Sequence, residues 1–109
     1  MKIPSEALIP AGKLAQYLLV RKPRNDKSRY LVRAGFTTNN PDTLQAAIRK
    51  LASEADAIID RANEFGTYYT NRGSLVGPTG RTIHVRLVWL LRVDGIFTFV
   101  TLVPEKEIS

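Results

Sequence analysis

The chain has no cysteine, one histidine, one methionine and one tryptophan in 109 residues. Missing thiols exclude disulfides and thiolate metal sites, and they favour a cytoplasmic setting. A single imidazole suits no conventional histidine metal centre, and no cofactor motif is present. No apolar run is long enough to span a bilayer, and the N-terminus lacks the continuous hydrophobic segment of a signal peptide, so no membrane association is expected. Carboxylates are the scarcer charge: ten Asp and Glu face sixteen Lys and Arg, a formal net charge of +6. Glu54 and Asp56 have no partner signature, so glycosidase and metal-dependent nuclease chemistry lack support. Gly77-Pro78-Thr79-Gly80 lacks the continuation of a phosphate loop and reads as a turn between strands. The cationic excess suits a polyanionic partner, either nucleic acid or an acidic protein; a solubility surplus is the structural alternative.

Hydrophobic residues make up 44% of the chain and charged residues 24%, which at 109 residues describes a single domain, 1–109, around one core. Its clearest local signal lies in Gly80–Val103. Asp94-Gly95 between two β-rich runs reads as a two-residue hairpin loop, with Val93 facing Ile96, Val88 facing Thr101 and Arg86 facing Val103. Side-chain alternation then sends Ile83, Val85, Leu87, Trp89, Leu91, Val93, Ile96, Val100 and Leu102 to a dry face. The other face receives His84, Arg86, Val88, Leu90, Phe97, Phe99 and Thr101.

Upstream, Met1–Pro10 is a lead-in that forms either an edge strand or a tucked arm. Lys13–Val20 has the spacing of a short amphipathic helix. Arg21–Arg33 is the most basic stretch and carries Arg24, Lys27, Arg29 and Arg33. Ser28–Phe36 is helix or short strand, with helix favoured, ending at Gly35. Asn40-Pro41-Asp42 is a helix entry, with a cap residue, proline at the first helical position and an acid at the positive dipole end. The stripe Leu44, Ala47, Ile48, Leu51, Ala55, Ile58 and Ile59 carries that helix to about Asn63. Gly66–Val76 is a third strand, with Gly73 a possible bulge. Pairing Val76 with Arg81 puts Tyr69 beside Val88 on the polar face and Tyr68 on the core side. The expected fold is α+β: N-terminal helices packed on one face of a small antiparallel β-sheet, a meander at the C-terminus.

Arg86, His84, Thr101 and Tyr69 together suit metal-free RNA cleavage. Such a site must hold a phosphate, stabilise the pentavalent state and move protons. Arginine supplies charge and donors, threonine a neutral hydrogen bond, and histidine or tyrosine a proton shuttle or a stacking surface. Each has a structural alternative: a solvated cation for Arg86, an incidental strand position for His84, a strand former in Thr101 and a packing ring in Tyr69.

The order KLAQYLL, DKSRYLVRAGF, a long helix, EFGTYYT, GRTIHVRLVW and FVTLVP resembles an uncharacterised bacterial toxin-associated domain family, found as small stand-alone proteins and as C-terminal segments of polymorphic toxins. That family is thought to be similar to the metal-independent barnase–EndoU–colicin–RelE-like ribonucleases. The resemblance matches Lys27 with Tyr30, Gly66 with Tyr69, Arg86 with Trp89, and Thr101. It implies catalytic roles for Lys27, Tyr69, Arg86 and Thr101 and an antitoxin or immunity protein as partner, acidic by complementarity to this chain's charge; the basic stretch offers Arg24, Arg29 and Arg33 as RNA contacts, and the chemistry needs no cofactor. His84 departs from the family pattern. The expected activity is that of a ribonuclease toxin acting on tRNA or mRNA. A non-catalytic RNA- or protein-binding module and the inhibitor half of a toxin pair are the competing readings.

Overall fold

The computed structural model describes residues 1–10, 28–37 and 39–105, with backbone only for residues 28 and 29. Two helices, α1 (Ser28–Ala34) and α2 (Pro41–Glu54), precede four strands: β1 (Ile58–Asn63), β2 (Gly66–Val76), β3 (Thr82–Arg92) and β4 (Phe97–Pro104). The strands form one antiparallel sheet in the order β1-β2-β3-β4, a meander. The architecture is thus α+β. The segment expected as a helix at Lys13–Val20 lies outside the described residues.

β3 alternates strictly: Ile83, Val85, Leu87 and Trp89 are buried, while the residues between them are half-buried. Trp89 anchors this side. Its ring meets Phe99 edge-on at 5.4 Å, a favourable aromatic geometry. Its indole N–H donates to Asn71 Oδ1 at 3.2 Å, which satisfies a donor that burial would otherwise leave costly. Leu31 and Phe36 around α1 and Leu44, Ile48 and Leu51 of α2 join the sheet's Leu75, Val85, Leu87 and Leu102 in one buried cluster.

The final hairpin differs from the sequence reading in a way that explains itself. Its loop has three residues, not two: Gly95 N–H donates to Arg92 O at 2.9 Å and Arg92 N–H to Ile96 O at 2.9 Å. Gly95 sits at φ +87, the left-handed position that closes such a loop. Asp94 braces it by accepting from Ile96 N–H at 3.2 Å and pairing with Arg92 at 2.7 Å. The added loop residue inverts the parity of the start of β4. Phe97 and Phe99 are therefore buried, while Val93 and Ile96 are 83% and 40% exposed. The ladder then slips between Trp89↔Phe99 and Val88↔Thr101, leaving Val100 as an extra residue. This bulge cancels the loop's offset, so Val88 faces Thr101 and Arg86 faces Val103 as expected.

The β2–β3 loop repeats the device. Gly80 at φ +82 donates to Gly77 O, and Gly77 N–H to Arg81 O. Val76 therefore faces Thr82 rather than Arg81, and Tyr69 faces Trp89 rather than Val88. A one-residue slip exchanges the faces: Tyr69 turns to the core side, its ring 5.5 Å from Phe97, and Tyr68 to the polar side. The β2–β3 ladder is continuous through Gly73, so no bulge lies there; a side chain at that position would collide with Leu51.

The long helix stops at Glu54, nine residues before Asn63. Ala55 is already extended, and Ile58 and Ile59 belong to β1. Their spacing matched a helical stripe, but β-branched residues also suit a strand, and pairing with β2 decides the outcome. Asn40 stands at the N-cap without capping through its side chain; its amide instead accepts from Thr37 N–H at 2.7 Å and donates to Gly35 O at 3.0 Å. The lead-in is a tucked arm. Ile3, Ala7 and Ile9 are buried, and Leu8 makes a single parallel bridge to Thr98 of β4.

Candidate functional site

The face of the sheet opposite Trp89 carries the polar cluster. Arg86, His84 and Thr82 reach it from β3, since they alternate with the buried Ile83, Val85 and Leu87. The ladder adds Arg72 opposite Arg86 and Ser74 opposite His84 from β2, and Val103 opposite Arg86 and Thr101 opposite Val88 from β4. Arg86 and Thr101 are therefore diagonal neighbours on one face.

Two guanidinium groups on directly opposed residues repel. Arg72 is compensated by Glu105, its Nε 3.0 Å from Oε1. Arg86 is not: its Nε is buried and has no hydrogen-bond partner among the described residues. A buried, unsatisfied cationic donor is an expensive feature, and such groups call for an explanation.

His84 is held from two sides. Its Nδ1 lies 3.2 Å from Ser74 Oγ. The Tyr30 hydroxyl, projecting from α1, accepts from the His84 backbone N–H at 3.2 Å and donates to its carbonyl at 3.0 Å. The same carbonyl accepts from Glu105 N–H at 2.8 Å. A cleft of about 360 Å³ opens here, lined by Tyr30, Arg33, Arg81, Thr82, His84 and Glu105.

Among the residues expected at the site, Arg86, His84 and Thr101 share one face. Tyr69 does not; it lies across the sheet, toward Phe97. Arg33 lies exposed in the last turn of α1 beside the cleft. Lys27 and Arg24 lie outside the described residues, as does the side chain of Arg29. Arg72, Ser74 and Glu105 escaped the sequence reading, which noted Tyr30 only as the motif residue matched with Lys27. The first two follow from alternation once Val76 is paired with Thr82, and Gly80 as the third residue of a loop was the signal for that register. Tyr30 and Glu105 reach His84 only through tertiary structure. On the polar face Arg61 also stacks over Tyr68, 4.8 Å from the ring centre.

The chain belongs to a family described as "Domain of unknown function (DUF6883)", which it matches over residues 2–106. No curated protein matches it in sequence. Its fold is similar to a chain of the "Contact-dependent growth inhibition toxin - immunity protein complex from Klebsiella pneumoniae 342", with a TM-score of 0.68 at 16% identity, covering 94% of this chain and 97% of that chain.

Proposed function

We propose that the chain is the toxin half of a toxin–immunity or toxin–antitoxin pair and that it cleaves RNA without a metal. The observation that carries this reading is the buried Arg86 Nε without a partner among the described residues, set beside Arg72, His84 and Thr101 on one sheet face. A phosphodiester supplies what Arg86 lacks among the described residues: negative charge and an oxygen to accept its N–H bond. The net charge of +6 supports an RNA substrate, and a fold shared with a chain of a toxin–immunity complex supports the pairing with a protein inhibitor. On this reading the helices cover the apolar face of the sheet and leave the other face for RNA, in the cytoplasm of the cell where the toxin acts.

In the reaction the 2′-oxygen attacks the adjacent phosphorus while the bond to the 5′-oxygen breaks. One proton leaves the 2′-hydroxyl and one reaches the departing 5′-oxygen, giving a 2′,3′-cyclic phosphate and a 5′-hydroxyl. Arg86 and Arg72 stabilise the equatorial oxygens of the pentavalent state. Thr101 adds a neutral donor. His84, oriented by Ser74 and clamped by Tyr30, moves a proton. Lys27, by its family resemblance, adds a further cation.

The test is incubation of the purified chain with total tRNA in the presence of chelator. Discrete fragments, absent with Arg86→Ala, are expected. Intact RNA, together with harmless expression in bacteria, would refute the reading. Salt-dependent RNA binding without product would instead indicate a non-catalytic module.

A further inference from the structure

We propose that β1 is a docking strand, to which an acidic partner protein adds an extended segment of its own. The two edges of the sheet are treated differently. At the β4 edge the N-terminal arm covers part of the strand: Leu8 N–H donates to Phe97 O at 2.9 Å, and Phe99 N–H to Leu8 O at 2.7 Å. At the other edge all six residues of β1 are exposed. Ile58 and Ile59 are 67% and 64% exposed, and Phe65 in the following turn is 61% exposed. Among the described residues nothing but β2 hydrogen-bonds to the β1 backbone.

Edge strands that must stay single are guarded by lysine and other charges, proline or β-bulges. The β1 sequence, Ile-Ile-Asp-Arg-Ala-Asn, has neither lysine nor proline, and its charges are confined to Asp60 and Arg61. Its one irregularity is the slip between Ile59 and Arg61, and Arg61 is drawn back over Tyr68. Ile58 and Ile59 face Thr70 and Tyr69 on β2, so they project to opposite sides of the sheet. An added strand covers one with each of its own faces, while its main chain satisfies the edge.

The occupant is acidic because the chain carries a net charge of +6. A complementary partner is steered to it, whereas a second copy is repelled. The open edge ends at Ile58: the N-terminus occupies the next residue, where Ala57 N–H donates to Met1 O and the Met1 ammonium donates to Ala57 O at 3.4 Å. That the acidic occupant is an inhibitor rests on the toxin-pair reading; its charge and strand addition itself do not.

The test uses the full chain, co-expressed and purified with the protein encoded by the reading frame adjoining its gene; a bound partner of net positive charge overturns the proposal. Hydrogen exchange is expected to show new protection of the amides of Ile58–Asn63 in the complex. The I58K/I59K variant is expected to bind about tenfold or more weakly, with unchanged melting temperature and unchanged RNA cleavage when the partner is absent. A milder variant, Ile59→Thr, retains strand propensity and is expected to weaken binding to a smaller extent. The proposal is overturned if that protein does not bind, if it binds without protecting β1, or if neither variant weakens it. Protection of β1 in the isolated chain, with elution as a dimer, assigns the edge to a second copy and also overturns it. Protection of β1 by a chain that cleaves no RNA leaves strand docking standing and defeats only the ribonuclease reading.

Discussion

Arg86→Met separates a functional guanidinium from a structural one by the sign of its effect on stability. In the folded chain Arg86 stands directly opposite Arg72, and its Nε is buried without a partner among the described residues. Removing an unsatisfied buried donor relieves about 1–3 kcal/mol. Relief of a like-charge cross-strand contact adds about 0.2–1 kcal/mol. Methionine keeps most of the apolar stem, so little packing is lost, though the guanidinium's outer nitrogens also lose some hydration. The balance is a gain of about 1 kcal/mol, which for a domain of this size raises the melting temperature by about 4 °C or more. Cleavage is expected to fall by about 10²–10³-fold, the usual effect of deleting one transition-state donor. Urea denaturation with matched cleavage assays reads both quantities. A loss of 1 kcal/mol or more in Arg86→Met would show that the guanidinium holds the fold together and would refute the reasoning.

Arg72→Met breaks an ion pair whose side chains are 67% and 33% exposed, so its stability cost is expected below about 1 kcal/mol, while cleavage drops; equilibrium unfolding and a tRNA assay read the two. Asn71→Ala removes the acceptor of the buried Trp89 indole and is expected to cost about 1–3 kcal/mol, seen as a lower urea midpoint. Tyr69→Phe is expected to leave cleavage unchanged because that side chain lies toward Phe97; a large loss would mean the polar face is not the site. Asp56 accepts a hydrogen bond from Lys2 and lies near both that ammonium and the N-terminus, which together hold its carboxyl below the ordinary value of 3.8. Its contribution to stability is therefore present above pH 3.8 and is lost as pH falls through the lowered folded value. Carbon-detected NMR titration should show the Asp56 midpoint rising toward 3.8 in Lys2→Met.

Local rules carried the sequence reading far in β3, where period-two alternation named Ile83, Val85, Leu87 and Trp89 as core and Arg86 and His84 as the other face. Gly35 and Pro41 likewise marked the end of α1 and the start of α2. The errors arose where two local signals compete. Asp94-Gly95 suits a two-residue loop and also the last two positions of a three-residue one, and only the burial of Phe97 and Phe99 decides between them. The pairing of Arg86 with Val103 survived because the Val100 bulge offset the longer loop. No such compensation exists between β2 and β3, so one residue of slip moved Tyr69 to the core side and concealed Arg72 and Ser74. Ile58 and Ile59 fit a helical stripe and a strand equally well, and partnering by β2 is not a local property. The clamp of Tyr30 on His84 spans 54 residues and leaves no trace in spacing.

The most direct test of the central claim is the chemistry of the ends formed when the purified chain, with chelator present, meets tRNA. Attack by the 2′-oxygen predicts 2′,3′-cyclic phosphate and 5′-hydroxyl termini, and no cleavage when the nucleotide before the scissile bond is 2′-deoxy. Fragments with 5′-phosphate ends, or cleavage that persists on the deoxy substrate, would contradict it.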